Sequence, residues 1–158
     1  MSKQTRAAFS ILAALALVAI SLGTANAADN WLGTWKLNVA KSRYSPGPGP
    51  KSSSSKIEAV DGGFKTTTDG VAADDKPTHA EYQAKFDGKD YPYTGTFETV
   101  SVKRTDDFGY EAALKIKGKI MLTSKNVISK DGKTRTQTQT GTDAQGKAVN
   151  NTVVWDRQ

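Results

Sequence analysis

The sequence predicts an all-β protein: an antiparallel up-and-down β-barrel of about 8–10 strands, preceded by a cleaved signal peptide. Three observations carry that reading. Beyond residue 27, apolar residues alternate with polar ones, and no stretch repeats them at helical spacing. Turn signals recur at short intervals: Asp61-Gly62-Gly63, Asp69-Gly70, Asp87-Gly88-Lys89, Lys117-Gly118-Lys119, Asp131-Gly132-Lys133 and Gln145-Gly146-Lys147. Glycine accepts positive φ and aspartate tolerates it, so Asp-Gly suits a tight hairpin. The third observation is the N-terminus itself.

Lys3 and Arg6 form a basic start, and Ala7 to Leu22 is a nearly unbroken apolar run. Ala25-Asn26-Ala27 then provides the small-x-small pattern cut by signal peptidase. The run is short for a membrane span, which needs about 20 residues; an uncleaved anchor is the alternative. Cleavage after Ala27 leaves 131 residues, 28–158, enough for one domain with one core. This mature chain carries 20 basic and 16 acidic residues, net +4, because only Lys3 and Arg6 leave with the signal. The charges are spread along the chain rather than gathered on one face, which argues against nucleic-acid binding. The absence of cysteine excludes disulfides, thiolate metal sites and a lipoprotein anchor. The expected location is periplasmic or secreted, with no stable membrane anchor.

Ten strands are expected near 32–39, 53–60, 63–69, 78–87, 90–95, 97–105, 108–117, 119–129, 133–141 and 147–156. Short turns between almost all neighbours make a meander the economical topology, and closing the meander removes its exposed edges. In the first strand Trp31, Gly33, Trp35, Leu37 and Val39 share one face. Ala80, Tyr82, Ala84 and Phe86 do so in the fourth, and Tyr110, Ala112, Leu114 and Ile116 in the seventh. Val149, Asn151, Val153 and Trp155 do so in the last. The ninth strand breaks the rule: threonines at 134, 136, 138 and 140 oppose Arg135, Gln137 and Gln139, and neither face is apolar. It is either an edge or a place where the interior turns polar. Residues 40–55, with Ser45-Pro46-Gly47-Pro48-Gly49-Pro50 and then four serines, are expected as a long loop over one end, since proline and glycine at this density continue no ladder. A lid and a plain connector both fit.

Gly33-Thr34-Trp35 opens the first strand just after the mature N-terminus, and with the meander it resembles the Gly-x-Trp signature of lipocalins and related calycin barrels. The resemblance implies a tryptophan closing one barrel end, with a basic residue of a late strand packed across it; Arg157 holds the matching position. The chain is also similar to small exported bacterial proteins of uncharacterised, lipocalin-like type. The shared segments are Gly33 to Asn38, Ala40-Lys41-Ser42, Ser45 to Pro48, Tyr82 to Tyr93 and Ser129 to Thr134. That similarity implies a fold and no activity. No helical pair follows the first strand, and the Arg-x-Tyr carboxylate clamp of fatty-acid-binding proteins is missing.

The search for chemistry is short. His79 is the sole histidine, on the polar face of its strand, and no His, Cys or carboxylate cluster has metal-ligand spacing. Asp74-Asp75 and Asp106-Asp107 suit turns. There is no Gly-x-Ser-x-Gly and no phosphate-cradling glycine loop opening a helix. No catalytic residue, cofactor or metal is therefore expected. The candidate ligand-binding set is aromatic and cationic: Trp35, Tyr82, Tyr91, Tyr93, Arg104, Tyr110, Arg135 and Trp155, with Phe97 beside them. Arg104 and Arg135 would neutralise an acidic headgroup if they point inward. The same side chains would equally fill a solid core. The readings left open are a carrier or sensor of a small, partly apolar ligand, a protein- or envelope-polymer-binding module with a packed interior, and an enzyme using Tyr, Asp and Arg.

Overall fold

A computed structural model describes residues 30–158. The expected signal peptide and its cleavage site lie outside those residues. The strands run β1 (Gly33–Leu37), β2 (Ser52–Val60), β3 (Gly63–Val71), β4 (Pro77–Ala84), β5 (Asp87–Thr94), β6 (Thr99–Asp106), β7 (Gly109–Ile116), β8 (Lys119–Ile128), β9 (Thr134–Thr142) and β10 (Ala148–Arg157). Each pairs antiparallel with its sequence neighbour, and β1 pairs with β10, so the ten strands close into an up-and-down barrel. All ten expected strands are present. Two end sooner than the sequence pattern suggests by more than one residue: β1 stops at Leu37, leaving Val39 exposed, and β4 stops at Ala84.

The serines expected in the loop belong to β2. Ser52 to Ser55 pair with Val71 to Thr68 of β3. A serine run has no apolar face to announce a strand, yet its backbone completes the β3 ladder. Ser55 points inward, is 1% exposed, and accepts a hydrogen bond from Thr68 Oγ1 at 3.1 Å. The connection from β1 to β2 then begins by extending β10. Arg43 and Thr152 exchange backbone bonds of 2.7 and 2.9 Å, and Asn150 N donates to Ser45 O at 2.7 Å. This segment covers the edge of β10 that the five-residue β1 leaves bare.

The thinnest seam lies between β4 and β5, where only Glu81↔Thr94 and Tyr82↔Tyr93 are in register. Tyr93 N donates to Glu98 O on the β6 side, so the preceding residue, Pro92, turns its missing N–H toward β4. The ladder stops there because a proline has nothing to donate.

One barrel end is plugged by aromatic rings. Trp31 meets Tyr110 edge-on at 4.5 Å, Phe64 stacks with Phe86 at 4.8 Å, and Phe86 meets Tyr110 at 5.9 Å. Arg157 locks this end. Its guanidinium lies 4.3 Å over the Trp35 ring and donates to the carbonyls of Asn30 (2.5 Å), Leu32 (2.6 Å) and Gly132 (2.5 Å). Trp35 Nε1 donates to Trp31 O at 3.1 Å, holding the same N-terminal turn. Gly33 is obligatory here: its φ is +125°, and a Cβ would sit 2.8 Å from an Arg157 nitrogen. The resemblance-based placement of Arg157 across Trp35 matches this geometry.

Hydrogen bonds from a charged donor contribute about 1.5–3 kcal/mol each, though not additively. Arg157→Ala should therefore lower unfolding free energy by about 3 kcal/mol or more in urea titrations, with Arg157→Lys intermediate. A loss below about 1 kcal/mol, the value of an ordinary surface change, would contradict this role for the clamp.

Surface carboxylates of turns and strands set the acid limit. Asp131 is held below the usual carboxylate range first by Ser129 Oγ, at 2.6 Å, and then by the Lys133 backbone N–H. Asp87 is lowered chiefly by the Lys89 N–H, Asp74 by Lys76 and Glu81 by Lys65. A lowered folded-state value means stability that is fully present above the unfolded pKa, about 3.9 for Asp and 4.3 for Glu, and lost as pH falls through the folded value. The urea midpoint should thus hold between neutrality and about pH 5 and fall progressively below about pH 4. A midpoint that rises on acidification would overturn this assignment.

Candidate functional site

Between the aromatic plug and the opposite, loop-bearing end lies a cavity of about 190 Å³. Its wall has two characters. From β4, β5 and β7 come Tyr82, Tyr93 and Tyr110, with Phe97 from the β5–β6 turn. Val100, Ala112, Leu114 and Leu122 add apolar surface. From β8 and β9 come Ser124, Asn126, Arg135, Gln137 and Gln139, with Trp155 of β10 beside them. Ser55, Thr66 and Thr68 add hydroxyls from β2 and β3. In the closed order β9 and β4 are five strands apart either way round, so the polar stave faces the tyrosine wall across the lumen.

This resolves the ninth strand. A closed barrel has no edge, and Arg135, Gln137 and Gln139 are its inward residues, Arg135 being 3% exposed. The threonines take the outer face. Gln137 is fixed from both sides: Trp155 Nε1 donates to its Oε1 at 3.3 Å, and its Nε2 donates to Ser124 Oγ at 2.8 Å. Asn126 Nδ2 donates to the same Ser124 Oγ at 3.2 Å. Gln139 Oε1 accepts from Asn151 Nδ2 at 3.0 Å, and Asn151 Oδ1 accepts from Ser45 N, also at 3.0 Å. The long loop is thereby hydrogen-bonded to the lumen wall through one side chain.

Within this network three buried polar atoms on the cavity wall have no protein partner among the described residues: Thr66 Oγ1, Asn126 Oδ1 and Arg135 Nε. Arg135 stands out. Its guanidinium lies 4.8 Å from the Trp155 ring and 5.6 Å from Trp35, wedged between the two. It takes part in none of the ion pairs among the described residues, and no carboxylate lines the cavity. Cation–π contacts offer about 2 kcal/mol each when desolvated. Burying a cation costs several kcal/mol, and an unmet buried donor adds about 1–3 kcal/mol. The rings offset only part of that cost.

The hydroxyls of Tyr82 and Tyr93 opposite are held protonated. Desolvation pushes Tyr82 and Tyr93 above the usual tyrosine pKa; for Tyr82 the neighbouring Tyr110 adds to the rise and Arg135 acts against it. These groups are hydrogen-bonding fixtures at neutral pH.

The lumen opens toward solvent. A wider recess of about 470 Å³ shares Thr68, Gln137, Gln139 and Trp155 with the cavity, and its rim is formed by Tyr44 and Pro48–Pro50 of the loop together with Ala72 and Ala73 of the β3–β4 turn. Packing of Gly49 against the Tyr44 ring shapes the rim; a Cβ there would fall 2.1 Å from the ring.

Of the expected site residues, Tyr82, Tyr93, Tyr110, Arg135 and Trp155 converge on the cavity, as does Phe97. Trp35 does not line it; fully buried, it lies under Arg135 and Arg157. Tyr91 also stays out, being half-buried on β5 with its hydroxyl donating to Asp87 Oδ2 at 2.9 Å. Arg104 belongs to the plugged end, 4.6 Å over Phe86, beside a small recess bounded by Trp31, Phe64 and Phe86. The aromatic-and-cationic criterion overlooked Ser55, Thr66, Thr68, Ser124 and Asn126. Their signal was a short polar residue at an inward position of an otherwise apolar face, as in Leu122-Thr123-Ser124-Lys125-Asn126. His79 is exposed and meets Asp69 Oδ1 at 2.7 Å, outside the cavity. No group of three metal-binding side chains occurs among the described residues. No protein-family model matches the chain, and no curated protein matches it.

An unpaired buried charge destabilises the fold that holds it. Arg135→Met keeps the length and removes the charge, so it should raise the urea unfolding free energy by about 1 kcal/mol or more. A loss of stability would mean that stacking with Trp35 and Trp155 outweighs desolvation.

Proposed function

We propose that this protein is an exported, non-enzymatic carrier or sensor of a small, partly apolar ligand held inside the barrel. The observation that carries the reading is the cavity of about 190 Å³, whose apolar surface is interrupted by buried polar atoms lacking protein partners. Ligand pockets commonly have this make-up: apolar walls for affinity and a few fixed polar groups for orientation. The mouth beneath Tyr44 and Pro48–Pro50 supplies a route in and room for a ligand to protrude. The titratable side chains on the cavity wall are Tyr82, Tyr93, Tyr110 and Arg135, a set suited to binding through O–H and N–H donors. Export rests on the sequence of residues 1–27 alone.

The interaction-module reading has less to support it. The exposed large apolar side chains among the described residues are Val39, Ile120 and Val127. They lie on the loop and near opposite ends of β8, and apolar residues scattered singly are normal on protein surfaces.

Native mass spectrometry of the protein recovered from its own host should give a mass beginning at Ala28 plus a reproducible small-molecule increment. Ala80 lines the lumen and is only partly buried, so Ala80→Trp should fill that space with the barrel retained. The variant should keep its β-type circular dichroism and lose the increment. An unchanged increment in the Ala80→Trp protein would move the ligand outside the lumen and sink the carrier reading.

A further inference from the structure

We infer that the lumen takes a monoanionic ligand, a carboxylate on an apolar body the size of a single ring, with its anionic end at Arg135. This rests on the carrier reading and names the ligand class. The guanidinium is buried and oriented by Trp35 and Trp155, its Nε has no acceptor among the described residues, and no carboxylate lines the cavity. An arginine that serves the fold alone finds carbonyls or an acid to hold. Arg157 of this same barrel does so, giving its N–H groups to the carbonyls of Asn30, Leu32 and Gly132. Arg135 is the contrasting case, a fixed cation in a low-dielectric pocket. An incoming carboxylate there gains a charge-assisted hydrogen bond and neutralises the site at once.

The surroundings set the size of the rest. Val100, Leu114, Leu122 and Phe97 supply the apolar wall. An engineered apolar cavity of about 150 Å³ takes benzene, so the lumen of about 190 Å³ accommodates one ring with a carboxylate, and a longer substituent would run toward the mouth. A neutral ligand of the same shape fills the same volume but leaves the guanidinium unpaired. Charge is therefore what the site discriminates.

The probes are 4-fluorobenzoate and its neutral near-isostere 4-fluorobenzamide, titrated into the protein at pH 7 and followed by fluorine NMR. The wild-type protein should bind the acid at least tenfold more tightly than the amide. Arg135→Met should bring the two to within about threefold, and Arg135→Lys should restore part of the preference for the acid; an arginine that is only structural predicts no change in this ratio. The comparison on the wild-type protein alone decides the matter should either variant fold poorly. Equal binding of acid and amide, or preference for the amide, overturns the anion inference and leaves the carrier reading standing. Binding of neither probe at millimolar concentration overturns both.

Discussion

Closure of the barrel depends on one side chain stacked on one ring. Arg157 covers Trp35 and bonds carbonyls from the N-terminal turn and from the β8–β9 turn. β1 is five residues long and shares three register pairs with β10, so the clamp adds side-chain bonds beside a short ladder. The clamp joins elements from both ends of the chain, and it does so next to Gly33, the position where a side chain would collide with it. With this end sealed and plugged by Trp31, Phe64, Phe86 and Tyr110, access to the interior runs through the loop-bearing end.

Two arginines pack against the same tryptophan and do opposite things. Arg157 gives three N–H groups to backbone carbonyls; Arg135, which lines the cavity, has no acceptor for its Nε among the described residues. The polar stave around Arg135 is held rigid by the chain Trp155–Gln137–Ser124–Asn126, so these groups are positioned before any ligand arrives. Preorganisation of that sort reduces the entropy cost of binding. The long loop takes part through Asn151, which links Ser45 to Gln139. Its first half is bonded along β10 and its proline-rich second half forms the rim, so connector and cover are successive parts of one segment.

Much of this was legible in the residues. Although two of the expected Asp-Gly turns are instead strand, Asp69-Gly70 lying within β3 and Asp87-Gly88 opening β5, period-2 alternation placed the ten strands to within a few residues, because a side chain's face in a strand is a local property. Five of the eight expected site residues reached the cavity for the same reason. The three that did not show the limits of alternation. It places Trp35 inside but says nothing of height along the barrel axis, and Trp35 is buried against Arg135 without lining the cavity. Arg104 and Tyr91 carry suitable chemistry, yet one caps the plug and the other bonds Asp87 at the start of its own strand. The expected loop 40–55 and the expected strand 53–60 overlapped at Ser53 to Ser55, and ladder pairing with β3 decides for the strand, since composition describes only flexibility.

The sequence by itself determined the strand class, the meander and which residues face inward, since each follows from backbone geometry acting over a few residues. Only the tertiary structure decided that the barrel closes over a cavity, that β9 is an interior wall rather than an edge, and that Arg135 Nε finds no acceptor among the described residues while Arg157 bonds three carbonyls. Those facts depend on which carbonyls, rings and carboxylates from distant segments come within about 3–5 Å of a guanidinium. Alternation along one strand carries no record of what the other nine bring to meet it.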